Sequence, residues 1–149
     1  MDLILWRHCD AESGEPDSGR RLTAKGTQQA QRVALWLEQR LPDRCRILVS
    51  PAERAQQTAH ALGRKFKTRD ELAPGTSVEA VLAAAHWPDA IDPVLVVGHQ
   101  PTLGEIAAFL LADSDIGWVF RKGAVWWVSN RTRDGTSPVL RAVIAPDLL

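Results

Sequence analysis

The chain has 149 residues, of which 45% are hydrophobic and 24% charged, a profile typical of one ordinary globular domain. Eighteen basic residues balance eighteen acidic ones, so the overall charge gives no reason to expect binding to nucleic acid or to a membrane surface. The two cysteines, Cys9 and Cys45, lack metal-ligand spacing, and no apolar run has the length of a signal sequence or a membrane span. These features predict a cytoplasmic protein with free thiols and a single domain over residues 1–149.

Strands and helices alternate through the first half of the chain. The apolar run from Leu3 to Trp6 predicts a buried strand, and a polar, turn-rich loop follows it at residues 10–20. Apolar residues at three- and four-residue steps then predict a helix over residues 23–41. A second strand is predicted over residues 46–49 and a helix over 50–65, with Ser50 as its cap and Glu53 completing a capping box.

The second half begins with the same alternation and ends differently. A short strand and a loop are predicted over residues 66–75, then a helix to residue 85 that starts with a capping box at Thr76. A strand at residues 94–97 precedes a helix that runs from a cap at Thr102 to residue 112. Segments 124–130 and 139–145 predict an antiparallel hairpin around Asp134-Gly135. The expected fold is therefore a three-layer α/β/α domain with a mostly parallel sheet and a C-terminal antiparallel hairpin.

Imidazole and guanidinium groups follow three of the predicted strands. Arg7 and His8 end the first strand, Arg54 lies on the first turn of the helix after the second, and His99 follows the strand at residues 94–97. In an open α/β sheet the carboxyl ends of the strands line the ligand crevice. The topology thus predicts that these four side chains converge at one edge.

The chemistry of this set indicates a phosphate site. Forked guanidinium donors and a helix N-terminus suit a phosphate-like dianion. A neutral imidazole is a competent nucleophile toward phosphorus, and a second imidazole stabilises charge that develops on the equatorial oxygens. The sequence shows no acidic metal cage and no Gly-x-x-x-x-Gly-Lys loop, so neither a metal nor a cofactor is expected.

At this point the residues resemble a known family. The segment that ends in Arg7-His8 resembles the Arg-His-Gly signature of the histidine phosphatase superfamily, whose fold is phosphoglycerate mutase-like. Three further segments match its motifs in order, namely Arg20-Arg-Leu-Thr-Ala-Lys-Gly26, Ser50-Pro-Ala-Glu-Arg-Ala-Gln-Gln-Thr58 and Gly98-His99. The resemblance spans Leu3 to Trp127, and the length and spacing resemble the small SixA-type branch, the phosphohistidine phosphatases.

The resemblance implies a role for each matching position. His8 would be phosphorylated and then hydrolysed, and Arg7, Arg54 and His99 would form the phosphate pocket. Arg20 would be a further phosphate or substrate contact, although the residues alone leave Arg21 open as its replacement. The implied substrate is a phosphorylated protein, such as a phosphotransfer or phosphorelay domain, with no metal or cofactor required.

Two departures from the family pattern qualify this implication. Cys9 stands where the family has Gly. If the backbone needs a positive φ angle there, we expect reduced activity. If the arginines lie close, we expect a lowered thiol pKa, which favours oxidation. No secure general acid is present, since Asp70, Glu71 and Glu79 have no diagnostic context. An imidazole leaving group needs less protonation than an alkoxide, which favours phosphohistidine over phosphate esters.

Two alternatives to this function remain at the level of sequence. The first is a phosphomonoesterase or mutase that acts on a small phosphorylated metabolite, which requires a general acid. The second is a non-catalytic phosphate-binding or phosphoprotein-binding module, which is suggested by Cys9. His60 and His86 are interpreted as surface or packing residues.

Overall fold

A six-stranded mixed sheet forms the centre of the computed structural model, which describes residues 1–130 and 137–149. Across the sheet the strands lie in the order β3-β2-β4-β1-β5-β6. The four strands β1 to β4 run parallel, whereas β5 pairs antiparallel with both β1 and β6. The strands are β1 (Asp2–Arg7), β2 (Arg46–Val49), β3 (Lys67–Thr68), β4 (Val94–Gly98), β5 (Val125–Ser129) and β6 (Val139–Ile144).

The predicted sheet, mostly parallel with a C-terminal antiparallel pair, is confirmed. The predicted turn at Asp134-Gly135 lies outside the described residues. Within the described ranges no helix combines the length and apolar character that crossing a membrane requires.

Two layers of helices cover the sheet, one on each face. The helices are α1 (Ala24–Glu38), α2 (Glu53–His60), α3 (Val78–Ala84) and α4 (Thr102–Ala112). Successive side chains of β1 point to opposite faces: Ile4 and Trp6 are buried in the cluster with residues of α1 and α2, whereas Leu3 and Leu5 are buried with residues of α3 and α4. The predicted three-layer α/β/α architecture is confirmed.

The helix α2 differs from its prediction at both ends. It begins at Glu53 with Ala52 at the N-cap, and it ends at His60, followed by a turn in which Gly63 has a φ angle of +68°. The expected cap was wrong because the hydroxyl oxygen of Ser50 accepts a hydrogen bond from the Ala52 N–H at 3.2 Å, outside the helix. The hydroxyl group of Ser50 also contacts a residue distant in sequence, as described below.

The starts of α3 and α4 also differ from the expected caps. Ser77, not Thr76, caps α3, since its hydroxyl oxygen accepts a hydrogen bond from the Ala80 N–H at 3.1 Å. Pro101 precedes α4, and the Thr102 hydroxyl donates at 2.8 Å to the Thr76 carbonyl instead of capping its own helix. This bond ties the start of α4 to the segment before α3.

Gly26 explains how closely α1 approaches the segment after His8. A Cβ atom at Gly26 would lie 2.0 Å from the carbonyl oxygen of Asp10, which no side chain tolerates. The same carbonyl accepts a hydrogen bond from the N–H of Thr23, the residue that caps α1. The glycine at the end of the second motif therefore lets α1 pack directly against the loop that leaves the site.

Candidate active site

The carboxyl ends of β1, β2 and β4 bring the predicted site residues together. The ladder of backbone hydrogen bonds continues past the strands, with the His8 N–H on the Gly98 carbonyl at 3.0 Å and the Ser50 N–H on the Val97 carbonyl at 3.1 Å. The rings of His8 and His99 lie with their centroids 5.1 Å apart and their planes at 51°. The backbone of the sheet thus fixes both imidazoles at one edge.

The hydrogen bond of His8 defines its tautomer. The Nδ1 atom lies 2.8 Å from the carbonyl oxygen of Cys9, and a carbonyl only accepts, so Nδ1 carries the proton. Nε2 of the neutral ring then holds the lone pair, and the Arg54 Nε–H points to it at 3.4 Å. The structure therefore presents the lone pair of a buried imidazole beside a guanidinium group.

His99 is oriented by Ser50. Its Nε2 atom lies 2.7 Å from the Ser50 hydroxyl oxygen, and Ser50 is fully buried. The Ser50 hydroxyl oxygen accepts from the Ala52 N–H and can donate its own proton to His99 Nε2. In that tautomer the proton of the neutral His99 ring lies on Nδ1, which is buried and has no hydrogen-bond partner among the described residues. Ser50 is a functional residue that sequence reasoning assigned to a helix cap instead.

Arg7 and Arg54 supply cationic donors to the same place. Arg54 is 4% exposed although it carries a full charge. Arg7 donates from Nη1 to the Phe120 carbonyl at 2.7 Å, while its buried Nε has no hydrogen-bond partner in the described part of the chain. Burial, followed by the charge of Arg54, lowers the pKa of Arg7 from its ordinary value. The Nε of Arg7, which has no partner among the described residues, and the buried charge of Arg54 together favour an anion between them and His8.

Arg20 reaches the site indirectly, and Arg21 does not reach it. The Arg20 Nε donates to the Asp17 carboxylate at 3.0 Å, and the same carboxylate lies 3.2 Å from Nη2 of Arg54. Arg21 is 68% exposed and pairs with Glu53 at 3.5 Å. Of the two residues, Arg20 is the one that shares a partner with Arg54. Asp17 was missed at the level of sequence because it lies in a polar loop without a motif of its own.

Both imidazoles of the site are held neutral. Burial is the main cause that lowers the pKa of His8 to about 4, against the hydrogen bond to Cys9, and the charges of Arg54, Arg7 and Arg20 lower it further. Burial, then the proximity of His8 and of Arg54, lowers the pKa of His99 to about 3. At neutral pH the lone pair of His8 Nε2 is consequently available for attack.

This neutrality gives a prediction for pH titration. In NMR spectra the ring signals of His8 and His99 are expected to stay constant from pH 8 to about 5 and to shift only as the pH falls toward 4 and 3. Between about 6.5 and 4 the unfolded chain binds more protons than the folded one, so the free energy of unfolding falls as the pH is lowered through that range. Spectra of His8→Ala and His99→Ala assign the signals, and a midpoint near 6.5 for either ring contradicts the prediction.

The structure corrects the expectation of a reactive Cys9. The residue is fully buried, and burial raises the pKa of its thiol to about 12, with a hydrogen bond involving Thr58 only partly opposing this. Among the described residues Cys9 is not one of the non-glycine positions with positive φ, so a cysteine fits its backbone. The main chain of Cys9 makes the contacts that reach the site: its N–H donates to the Thr58 hydroxyl oxygen at 3.1 Å, and its carbonyl accepts from His8. The side chain fills space and leaves the hydrogen bonds of the site intact.

Cys9 is therefore expected to be inert toward oxidation. Hydrogen peroxide at neutral pH should inactivate the wild type and Cys9→Gly to the same extent, because a thiol with a pKa of about 12 supplies almost no thiolate. Residual activity after timed exposure, with mass spectrometry of the peptide that contains Cys9, measures this. Faster inactivation of the wild type, together with sulfenic acid at Cys9, would contradict the assignment.

The carboxylates considered for general acid catalysis do not join the site. Glu71 pairs with Arg69 at 3.0 Å, and Glu79 lines a groove between α3 and α4. Asp17 is a carboxylate that does reach Arg54; burial raises its pKa, but the charge of Arg54 and the hydrogen bonds from Arg54 and Arg20 outweigh this and lower it overall. Asp17 is therefore ionised at neutral pH and holds no proton to donate. No group of three or more His, Cys, Asp or Glu side chains arranged to hold a metal occurs in the described ranges.

Comparisons with known proteins agree with this fold. The sequence model of the histidine phosphatase superfamily (branch 1) matches residues 3–75. A phosphohistidine phosphatase SixA homolog from Haemophilus influenzae is 32% identical over 126 residues, covering 74% of this chain and 77% of that protein. Phosphohistidine phosphatase SixA from Escherichia coli is 33% identical over 119 residues, covering 74% of each chain. The structure of a protein histidine phosphatase SixA complexed with tungstate superposes with a TM-score of 0.81 at 28% identity, covering 99% of both chains.

At the carboxyl edge of this mixed α/β sheet a neutral histidine lies beside one buried and one half-buried arginine, and the chain belongs to the histidine phosphatase superfamily. It is a phosphatase with the phosphoglycerate mutase-like fold. Within the superfamily, its similarity extends to SixA-type proteins over about three quarters of its sequence.

Proposed function

We propose that the protein hydrolyses phosphohistidine on a phosphorylated protein through a covalent phospho-His8 intermediate. The observation that carries the proposal is the hydrogen bond from His8 Nδ1 to the Cys9 carbonyl, which leaves the lone pair on Nε2 beside Arg54. The SixA relatives are named phosphohistidine phosphatases, which supports the same substrate class here.

The reaction needs two displacements at phosphorus. The His8 Nε2 lone pair forms a bond to phosphorus while the P–N bond of the substrate breaks, and its electron pair returns to the substrate imidazole. Water then attacks phospho-His8, the second P–N bond breaks toward His8, and the proton of the water leaves with inorganic phosphate. Arg7 Nε and His99 Nδ1, both buried donors without partners in the described chain, are placed to donate to the equatorial oxygens.

The protonation of the nearby groups supports phosphohistidine as the substrate class. An alkoxide leaving group needs a proton, and Asp17, the carboxylate on Arg54, is ionised. A phosphohistidine ring instead brings a proton on its second nitrogen and leaves as neutral imidazole. Phosphotransfer and phosphorelay domains of the cytoplasm are the proposed partners.

The test compares two substrates and two proteins. Phosphate release is measured from a phosphohistidine-bearing phosphotransfer domain and from a simple alkyl phosphate, with the wild type and His8→Ala, each with and without a chelator. Release from phosphohistidine alone, lost in the variant and unaffected by the chelator, is the expected result. Steady turnover of the alkyl phosphate would favour a phosphomonoesterase, and release from neither with phosphate still bound would favour a binding module.

A further inference from the structure

We propose that Asp17 is a positioning residue that holds Arg54 with one edge of its guanidinium group turned toward His8. The inference rests on the proposed function only in taking Arg54 as a ligand of the phosphoryl group. It concerns a residue in the loop between β1 and α1, at the start of a short 3-10 turn, Asp17–Gly19.

The contacts of Arg54 divide its guanidinium group into two edges. Nη1 donates to the Asp17 carbonyl at 2.9 Å and Nη2 to the Asp17 carboxylate at 3.2 Å, so the terminal edge is occupied by one residue. Nε faces His8 Nε2 at 3.4 Å. A guanidinium offers forked donors along either edge, and an anion bonded to His8 Nε2 meets the Nε edge. Asp17 thereby occupies the terminal edge and leaves the Nε edge facing His8 Nε2, where the phosphoryl group would bind.

The carboxylate of Asp17 is shared by two arginines. Its Oδ1 accepts from Arg20 Nε at 3.0 Å, while Oδ2 accepts from Arg54. Arg20 also donates to the Glu12 carbonyl at 3.2 Å, so both Glu12 and Asp17 of this loop hold the Arg20 side chain in place. Asp17 thus connects Arg20, which no other described contact links to Arg54, with the buried centre of the site.

Burial differs sharply across this ion pair. The side chain of Asp17 is 57% exposed, whereas that of Arg54 is 4% exposed. An exposed carboxylate is replaceable without leaving a cavity in the core, so its substitution reports on the orientation of Arg54 more than on folding. The alternative role for this carboxylate is to compete with the substrate phosphoryl group for Arg54. If Asp17 positions Arg54, its removal weakens anion binding; if it competes, its removal strengthens anion binding.

A double-mutant cycle separates these two roles. The cycle measures kcat and KM on a phosphohistidine protein and the Kd for inorganic phosphate. The variants compared are Asp17→Ala, Asp17→Asn, Arg54→Ala and the double variant Asp17→Ala/Arg54→Ala. Asp17→Ala is expected to lower kcat/KM by roughly 10- to 100-fold, mostly through kcat, since small misplacements of a catalytic group have effects of that size. Asp17→Asn should recover part of the loss because its amide oxygen still accepts. In the Arg54→Ala background Asp17→Ala should have no further effect.

Glu71→Ala provides the matched control, because its carboxylate pairs with Arg69 at 3.0 Å on the surface, and it should leave all constants unchanged. The inference would be overturned if Asp17→Ala bound phosphate more tightly than the wild type. It would also be overturned if Asp17→Ala lowered kcat/KM by the same factor in the wild type and in the Arg54→Ala background. The phosphate-binding arm needs no turnover: if phosphohistidine is not hydrolysed yet Asp17→Ala weakens phosphate binding only when Arg54 is present, the proposed function fails and the positioning role stands.

Discussion

His8→Ala is expected to abolish turnover while leaving phosphate binding largely intact. The variant removes the lone pair that attacks phosphorus, but it leaves the donors of Arg7, Arg54 and His99 in place. Loss of a covalent nucleophile typically lowers kcat by roughly a thousandfold or more. Single-turnover hydrolysis of a phosphohistidine protein and isothermal titration with phosphate measure the two effects separately.

The covalent step has a direct signature. Wild type mixed with phosphorus-labelled substrate should accumulate an acid-labile, base-stable phosphoryl group that is absent from His8→Ala. The matched control is His60→Ala, a histidine at the end of α2 that packs against Phe66, and this variant should keep both turnover and labelling. Wild-type turnover in His8→Ala, or labelling at another residue, would contradict the nucleophile assignment.

The parts of the site that depend on sheet topology were predictable from sequence. The runs Leu3–Trp6 and Val94–Val97 are continuously apolar, as buried parallel strands require, and the residues that follow such strands meet at one edge. The structure brings Arg7, His8, Arg54 and His99 to that edge, and their catalytic roles stay predictions. The position of each residue in the chain was sufficient to predict this convergence, because backbone hydrogen bonds between the strands fix where each strand ends.

Features that depend on tertiary burial were not predictable. Ser50 followed by Pro51 has every local signal of a helix cap, yet its hydroxyl hydrogen-bonds to His99, almost fifty residues away in sequence. The arginines expected near Cys9 suggested an activated thiol, but complete burial raises the pKa of the thiol to about 12. Local patterns give the partners nearby in the chain, whereas these two outcomes were decided by distant residues and by the exclusion of water.

The contact between Asp17 and Arg54 was also not predictable from sequence, because Asp17 lies in a loop. Its segment, Glu15-Pro-Asp-Ser-Gly19, reads as turn-forming polar sequence, and such segments are common on protein surfaces. Only the folded chain reveals that its short turn lies against Arg54. The carboxylates that sequence reasoning examined lie in the 3-10 turn Asp70–Leu72 and in the first turn of α3, at positions 70, 71 and 79. They do not contact the histidines through a hydrogen bond that the structure shows.

The second large effect is expected for Arg54→Lys, which keeps the positive charge but removes the forked donors. A lysine ammonium ion cannot donate to Asp17 along one edge and to a phosphoryl group along the other. Each lost charge-assisted hydrogen bond costs about 1.5–3 kcal/mol, so kcat/KM should fall by roughly two orders of magnitude or more. Phosphate should bind more weakly as well, in contrast to His8→Ala, because Arg54 acts on the ground state and the transition state alike.

The control for Arg54→Lys is Arg64→Lys. Arg64 pairs with Glu38 at 2.9 Å, at the C-terminal end of α1. This variant loses the same kind of forked contact and should leave kcat/KM and phosphate affinity unchanged, with at most a small decrease in thermal stability. Equal effects of the two substitutions would mean that the loss reflects folding, not the site. If Arg54→Lys keeps full activity, a point charge beside His8 Nε2 is sufficient, and the two-edge arrangement of the guanidinium group has no part in catalysis.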